Sequence, residues 1–116
     1  MSPSPLTPIS GTLELLILRT LGAGAELHGF AILEWIRRAT EGELVVEDGA
    51  LYHALHRMER KGLLSSSWGI SEKGRRARYY ALTPAGEAAR SAEEERWRSY
   101  VSAVARIAPH GEGGRA

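Results

Sequence analysis

The chain has 116 residues, of which 43% are hydrophobic and 25% are charged; its formal net charge is +1 and it contains no cysteine. This length supports one compact domain, and the composition is typical of a globular protein rather than a disordered one. Disulfide bonds and cysteine-based metal or redox chemistry are excluded, which suits the reducing cytoplasm, and the longest apolar run, residues 15–18, is far shorter than a membrane span.

Two helices are predicted in the first third of the chain. The first ten residues hold three prolines and no basic segment, so they indicate a flexible segment rather than a signal peptide. A helix is then predicted over residues 12–21, with Ser10 or Thr12 as its cap; because it is apolar on nearly every side, we expect it to contact its own domain and a second subunit. A second helix is predicted over residues 28–40. Its spacing predicts a buried face made of Ile32, Leu33, Trp35, Ile36 and Ala39.

A third helix is predicted over residues 48–61, with Asp48 as its N-cap and Gly62 after its end. Apolar residues at helical spacing predict its buried face, formed by Leu51, Ala54, Leu55 and Met58. The opposite side is polar and basic and carries Ala50, His53, His56, Arg57 and Arg60.

After Gly62 the pattern changes from helical to alternating, which predicts a β-hairpin. Residues 63–70 form the first strand, residues 71–74 have turn chemistry, and residues 75–83 form a second strand rich in aromatic residues. Because Tyr79 and Tyr80 alternate, one is expected to pack inward while the other stays at the surface. A last helix is predicted over residues 84–107, capped by Thr83, with an apolar stripe of Trp97, Tyr100, Val101, Val104 and Ile107.

Three helices followed by a hairpin is the order of a winged helix-turn-helix, in which the third helix enters the major groove of DNA. The charge distribution agrees, since residues 53–78 hold seven basic side chains (Arg57, Arg60, Lys61, Lys73, Arg75, Arg76, Arg78) against two acids (Glu59, Glu72). Arg57 has the reach for a bidentate contact to guanine, and His53 and His56 can donate to bases or phosphates. The basic hairpin tip, residues 73–78, is expected along the adjacent backbone or minor groove.

Several spaced motifs of one regulator family occur here in order. The recognition-helix signature of the PadR family resembles residues 49–52 (Gly-Ala-Leu-Tyr) together with Leu55, Arg57, Met58, Glu59, Gly62, Leu63 and Leu64. The family's wing is similar to Trp68, residues 75–83 and Gly86, and its first two helices are similar to residues 11–13 and 28–30. The resemblance covers about residues 11–106.

This resemblance implies a bacterial regulator, usually a repressor, whose C-terminal helix pairs with its partner subunit. The single short C-terminal helix resembles the smaller PadR subtype, and many members release DNA when a phenolic or drug-like ligand binds near the dimer interface. Two positions depart from the family pattern. Ala50 stands where a hydroxyl residue is usual, which removes a phosphate donor, and His53 stands where proline is usual, which adds a backbone N–H and a side chain directed at DNA.

The sequence therefore predicts a mainly α-helical fold with a small β-hairpin, a winged helix-turn-helix followed by a dimerisation helix. The predicted parts are a flexible N-terminus (1–10), a DNA-binding domain (11–83), the dimerisation helix (84–107) and a flexible tail (108–116). The predicted function is that of a cytoplasmic, homodimeric repressor of operator DNA, without cofactor or metal, that a small aromatic ligand can release. The residues predicted to contact DNA are Gly49, Ala50, Tyr52, His53, His56, Arg57, Arg60, Lys73, Arg75, Arg76 and Arg78. Those predicted at the dimer interface are Leu13, Leu16, Ile17, Trp97, Tyr100, Val101 and Val104, with Trp97 and Tyr100 also predicted to bind the effector.

Other interpretations stay open at this point. A winged helix can bind proteins instead of nucleic acid, the basic tip can be a solvated hairpin, and Tyr52 can be a packing residue. Trp97 can be plain interface core, with no small ligand involved. His53, His56 and Glu59 share one helical side and can chelate a metal, although no further ligand lies nearby in the sequence. No spacing typical of a catalytic triad, a phosphate-binding loop or HExxH occurs, so no enzyme activity is predicted.

Overall fold

The computed structural model of the chain describes residues 6–108. Within them, four helices and three strands follow one another in the order α1 (Leu13–Thr20), β1 (Leu27–His28), α2 (Gly29–Ala39), α3 (Asp48–Arg60), β2 (Leu64–Ile70), β3 (Arg76–Leu82) and α4 (Pro84–Ile107). No helix in this part of the chain combines the length and the apolar character that a membrane crossing requires.

The core lies between α1, α2, α3 and the inner face of the sheet. The predicted buried face of α3 is confirmed, because Leu51, Ala54, Leu55 and Met58 are all inaccessible to solvent. The predicted face of α2 is only partly right. Its buried residues are Ile32 and Ile36, with Leu33 packed at their edge. Trp35 is 45% exposed on the flank of that stripe, and Ala39 lies at the surface in the last turn.

The sheet is antiparallel with strand order β1-β3-β2. β2 and β3 form the predicted hairpin, paired from Leu64–Leu82 at its base to Ile70–Arg76 near its tip. Tyr80 is the inward tyrosine, at 2% exposure. The short strand β1 was not predicted from the sequence; its two residues pair with Tyr80 and Tyr79.

The helix ends differ in how well the sequence predicts them. Thr83 caps α4 as predicted, accepting a 3.0 Å hydrogen bond from the backbone N–H of Gly86. For α1 the predicted position is confirmed, since Thr12 is the N-cap residue, but its hydroxyl donates to the Ile9 carbonyl instead of accepting a helix N–H. The predicted cap of α3 is wrong: Glu47 occupies that position, without a side-chain hydrogen bond, and Asp48 is already helical.

The N-terminal segment that is predicted to be flexible makes one backbone pairing. Leu6 pairs with the segment before α3, donating to the Glu43 carbonyl and accepting from the Val45 N–H, both at 2.8 Å. The backbone of Leu6 is therefore held against that segment, because these groups satisfy one another. Of the residues predicted to be flexible, 1–5 and 109–116 lie outside the described part of the chain.

α4 has two different halves. Its first turns pack closely on the domain, and a side chain at buried Gly86 would overlap the Leu63 carbonyl oxygen, so only glycine permits this approach. Arg19 of α1 then forms a 2.9 Å ion pair with Glu94. From residue 95 to residue 108 every residue is exposed. The second half of α4 thus extends beyond the body of the protomer.

Candidate nucleic-acid interface

The outer side of α3 forms a continuous polar arc opposite its buried face. Successive residues of a helix are rotated by about 100°, which fixes the order of side chains across the arc. That order runs from Tyr52 and Glu59 at one edge, through His56, Arg60 and His53 in the middle, to Arg57 and Lys61 at the other edge. Gly49 and Ala50 lie on the same exposed side in the first turn.

The first edge of the arc faces the hairpin. Glu59 accepts a 2.6 Å hydrogen bond from the Ser66 hydroxyl and lies 3.6 Å from the Arg78 guanidinium. It is therefore directed to the hairpin rather than to His53 and His56, and residues 6–108 contain no cluster of three or more acidic, histidine or cysteine side chains suited to a metal ion. The Tyr52 ring packs over Gly29. A β-carbon at position 29 would lie 2.7 Å from that ring. Tyr52 nevertheless remains 41% exposed, so it both packs and reaches the surface.

The other edge of the arc is bound to α1. The Glu14 carboxylate accepts a 3.0 Å hydrogen bond from Arg57 Nε and lies 3.2 Å from Lys61 Nζ. Partial burial opposes ionisation of Glu14, but the hydrogen bonds and charges of these two cations outweigh it and hold its pKa below the ordinary 4.5. Arg57, predicted to contact guanine, is thus engaged within the protomer.

The middle of the arc is free of such partners. His53, His56 and Arg60 are exposed, and none of their side chains forms a hydrogen bond or ion pair with another residue of the described part. These three side chains are the ones that α3 offers to a ligand without first breaking an internal contact.

The hairpin carries a wall of cations on the side that faces α3. Arg78 lies directly opposite Trp68, and Arg76 lies on the same face nearer the tip. Their guanidinium carbons are 5.3 Å and 4.3 Å from the centre of the Trp68 ring, within cation–π distance. Arg75 is exposed, and the Lys73 ammonium lies 5.7 Å from the centre of the Phe30 ring.

The tip of the hairpin is linked to the start of α2. His28 caps α2 through Nδ1, which accepts the Ala31 N–H at 3.1 Å, and its Nε2 lies 3.4 Å from the Glu72 carboxylate. A backbone hydrogen bond and then the contact with His28 hold the pKa of Glu72 below its usual value. His28 is therefore a structural residue that starts α2, and it also orients the tip.

Between the start of α2, α3 and the hairpin lies an open cleft of about 490 Å³. Its lining includes one acid, Glu72, and the ring of His28, together with three larger aromatic residues and four cations: Phe30, Tyr52, Trp68, Lys73, Arg75, Arg76 and Arg78. The structure thus brings together Tyr52 and all four predicted hairpin residues. A positively charged cleft with aromatic walls beside a polar helix face suits a phosphate backbone.

The residues predicted for a subunit interface divide into two groups. Trp97, Tyr100, Val101 and Val104 are all exposed on the projecting half of α4, and the Trp97 and Tyr100 ring centres are 6.1 Å apart. Leu13 and Leu16 are partly buried against the core. The prediction for Ile17 needs correcting, because its side chain is completely buried within the protomer and offers no surface to a partner.

Sequence reasoning missed two sets of contacts on this surface. The first is Glu14, whose partners are 43 and 47 residues away, so no local pattern indicates the contact. The second is the stacking on Trp68, which the alternation of β2 and β3 does indicate once the pairing register is known.

Three helices with a two-stranded wing and a polar third helix define the chain as a winged-helix protein of the DNA-binding class. Residues 17–92, more than half of the chain, match the transcriptional regulator PadR-like family, and the chain belongs to that family. The predicted family and fold are thereby confirmed. The chain is a DNA-binding regulator of transcription and not an enzyme.

Solved structures of similar proteins agree. A transcriptional regulator from Clostridium thermocellum is 28% identical, with a TM-score of 0.75, over 84% of this chain and 94% of that one. A PadR-like transcription factor from Bacteroides fragilis is 32% identical, with a TM-score of 0.68, over 84% and 91% of the two chains. A PadR family regulator from Clostridium difficile is 29% identical, with a TM-score of 0.69, over 84% and 97%.

Proposed function

We propose that this regulator is a cytoplasmic homodimeric repressor that binds a specific operator through α3 and the wing, defined as residues 64–82. The observation that carries the proposal is the unpartnered middle of the α3 arc, His53, His56 and Arg60, beside the cationic wall of the cleft. His53 and His56 lie in the first two to three turns of the helix, from which winged helices contact base edges, while Arg60 at its end suits a phosphate.

The proposed dimer follows from the projecting half of α4. Trp97, Val101 and Val104 are 38–44% exposed on one side of the helix, in the stretch from residue 95 to residue 108 where every residue is exposed. Apolar stripes of this kind are normally covered by a second helix. Two protomers joined in this way place two copies of α3 on DNA, about one helical turn apart, and a dimer bound at a promoter excludes polymerase.

An aromatic effector is proposed at the same seam. Trp97 and Tyr100 present neighbouring rings, tilted by 32°, to which a planar aromatic molecule can stack. In a variant with Trp35→Phe and Trp68→Phe, Trp97 is the remaining tryptophan. Saturable quenching of its fluorescence by planar aromatics, together with release of DNA, supports the effector; DNA binding that no ligand alters contradicts it.

The test of DNA recognition is capture of sheared genomic fragments by the purified protein, followed by sequencing and by affinity measurements over a range of salt concentrations. The wild type is compared with Arg75→Ala/Arg76→Ala at the wing. Arg37→Ala/Arg38→Ala is the matched control, because it removes the same charge from exposed positions at the far end of α2. We expect a few fragments that share a two-fold symmetric site. We also expect the salt slope, which is the slope of log affinity against log salt concentration, to become shallower by about 0.9 for each phosphate that the wing variant no longer binds. The slope of the control should be unchanged.

Two results would overturn the proposal. Equal affinity and salt slope for the wing variant and the wild type would remove the role of the wing. Capture of no preferred fragments, with the same weak binding in all three proteins, would favour a winged helix that binds another protein.

A further inference from the structure

The exposed tryptophan of the wing has an assignable role. We propose that Trp68 is a positioning residue, whose indole ring holds the guanidinium groups of Arg76 and Arg78 in the wall of the cleft so that they meet DNA phosphates already ordered. This inference rests on the proposed function, since DNA supplies the phosphates.

The sheet register creates the arrangement. Trp68 is paired directly with Arg78, and Arg76 lies two residues along the same strand, so the three side chains share one face of the hairpin. The two guanidinium carbons lie 4.3 Å and 5.3 Å from the ring centre. One ring therefore contacts both cations.

Core packing does not account for Trp68. The buried residues of the same face are Leu64 on β2 and Tyr80 on β3, at the base of the hairpin, whereas the Trp68 side chain is 55% exposed. A large apolar side chain that remains more than half exposed stabilises the core little. Its described neighbours on the outer part of the face include the two arginines.

A stacked guanidinium stays available to a phosphate. Stacking uses the face of the group, while its five N–H donors lie in its plane and remain free for bidentate contacts. Arg76 makes no ion pair within residues 6–108, and the contact of Arg78 with Glu59, at 3.6 Å, is longer than a hydrogen bond. An unstacked arginine loses much rotamer freedom on binding, whereas a stacked one is already partly ordered beforehand.

The experiment measures DNA affinity against salt concentration for wild type, Trp68→Leu, Trp68→Phe and Arg76→Ala/Arg78→Ala. We expect Trp68→Leu to weaken binding about fivefold or more, the scale of the rotamer freedom that one or two arginine side chains lose when they become ordered on binding, with an unchanged salt slope because both charges remain. Trp68→Phe keeps a ring face and should recover most of the affinity. Adding Trp68→Leu to the double arginine variant should cause no further loss, because a positioning residue acts only through the groups it positions.

A second measurement needs no DNA. Side-chain N–H resonances of Arg76 and Arg78 should be shifted upfield by the ring current in the free wild type, and these shifts should vanish in Trp68→Leu while backbone resonances outside the hairpin stay in place. Wild-type affinity in Trp68→Leu, a fallen salt slope, or no ring-current shift in the wild type would overturn this inference alone. Absence of salt-dependent DNA binding by the wild type would instead overturn the proposed function, and the ring-current result would still decide whether the stacking exists.

Discussion

Glu14 restrains two cations of the recognition helix with one carboxylate. Its oxygens lie 3.0 Å from Arg57 and 3.2 Å from Lys61, whose side chains are still 45% and 52% exposed. Ion pairs between half-exposed groups are weak and sensitive to salt. We therefore expect phosphates that approach the same edge of α3 to compete with Glu14 for both cations, so that the carboxylate opposes DNA binding.

Substitution Glu14→Gln is expected to strengthen DNA binding. The amide removes the competing charge, so Arg57 and Lys61 can release counterions from DNA as they bind it. At low salt we expect an affinity about three- to tenfold higher, with a salt slope steeper by about 0.9 for each of these cations that binds a phosphate. Affinity titrations over a series of salt concentrations, on operator and on unrelated DNA, measure both quantities.

Glu95→Gln is the matched control. Glu95 pairs with Arg98 at 2.9 Å on the projecting half of α4, so its loss changes net charge equally without freeing a cation of α3. Weaker DNA binding by Glu14→Gln, accompanied by a lower melting temperature, would show instead that Glu14 holds α3 in its binding position.

Some features of α3 can be predicted from the sequence and others cannot. The buried stripe of α3 could be predicted because helical spacing places Leu51, Leu55 and Met58 on one side by local geometry. The contact of Arg57 with Glu14 could not be predicted, because Glu14 is 43 residues away and only the packing of α1 on α3 brings the two side chains together. The exposed arc was therefore correctly located, while the ion pair that engages Arg57 within it was not predicted.

Whole elements of the fold also differ in this way: those that depend on local sequence could be predicted, and those that depend on distant residues could not. The start of α4 follows from Thr83 and Pro84 alone, and the hairpin follows from its alternation. β1 has two residues and exists only because β3 offers an open edge beside them, so no pattern within it indicates a strand. The exposure of Trp35 is likewise decided by how little of α2 the neighbouring elements cover.

Negative charges on the projecting half of α4 are expected to separate the subunits. In Val101→Asp/Val104→Asp, two carboxylates would have to be buried at the proposed seam, which costs several kcal/mol without a partner charge. We expect the dissociation constant of the dimer to rise at least about a hundredfold, with helix content unchanged because these side chains are exposed in the protomer. Light scattering over a range of protein concentrations gives the mass.

Ser99→Asp/Ser102→Asp places equal charge on the opposite side of the same helix and should remain a dimer. If both variants are dimers with wild-type affinity, the seam lies elsewhere on the molecule. If both dissociate, the effect comes from the added charge and not from the apolar stripe.

Within the whole protomer, α1 connects α3, which carries the polar arc, to α4. It packs against α2, α3 and α4. Glu14 joins it to α3, and Arg19 joins it to Glu94 of α4. Burial opposes the ionisation of Glu94, yet Arg19 and Arg90 outweigh it, so the pKa of Glu94, like that of Glu14, lies below 4.5 in the folded protein.

These two lowered pKa values predict a specific loss of stability in acid. In the unfolded chain both carboxylates take up protons near 4.5, while in the folded chain they do so only at lower pH. Their contribution to stability is therefore complete above that value and is lost as the pH falls through the folded pKa values.

Glu14→Gln/Glu94→Gln should lower the free energy of unfolding at neutral pH by about 1 kcal/mol. The stability of this variant should fall less than that of the wild type between about pH 5 and pH 3. Urea unfolding at fixed protein concentration measures this, since the stability of the proposed dimer depends on concentration. Glu26→Gln, at an exposed position with no ion pair within residues 6–108, should give a curve parallel to the wild type. If the curve of unfolding free energy against pH for the double variant is also parallel to that of the wild type, the two contacts of α1 do not contribute to acid sensitivity. In that case α1 is held in place by its apolar packing alone.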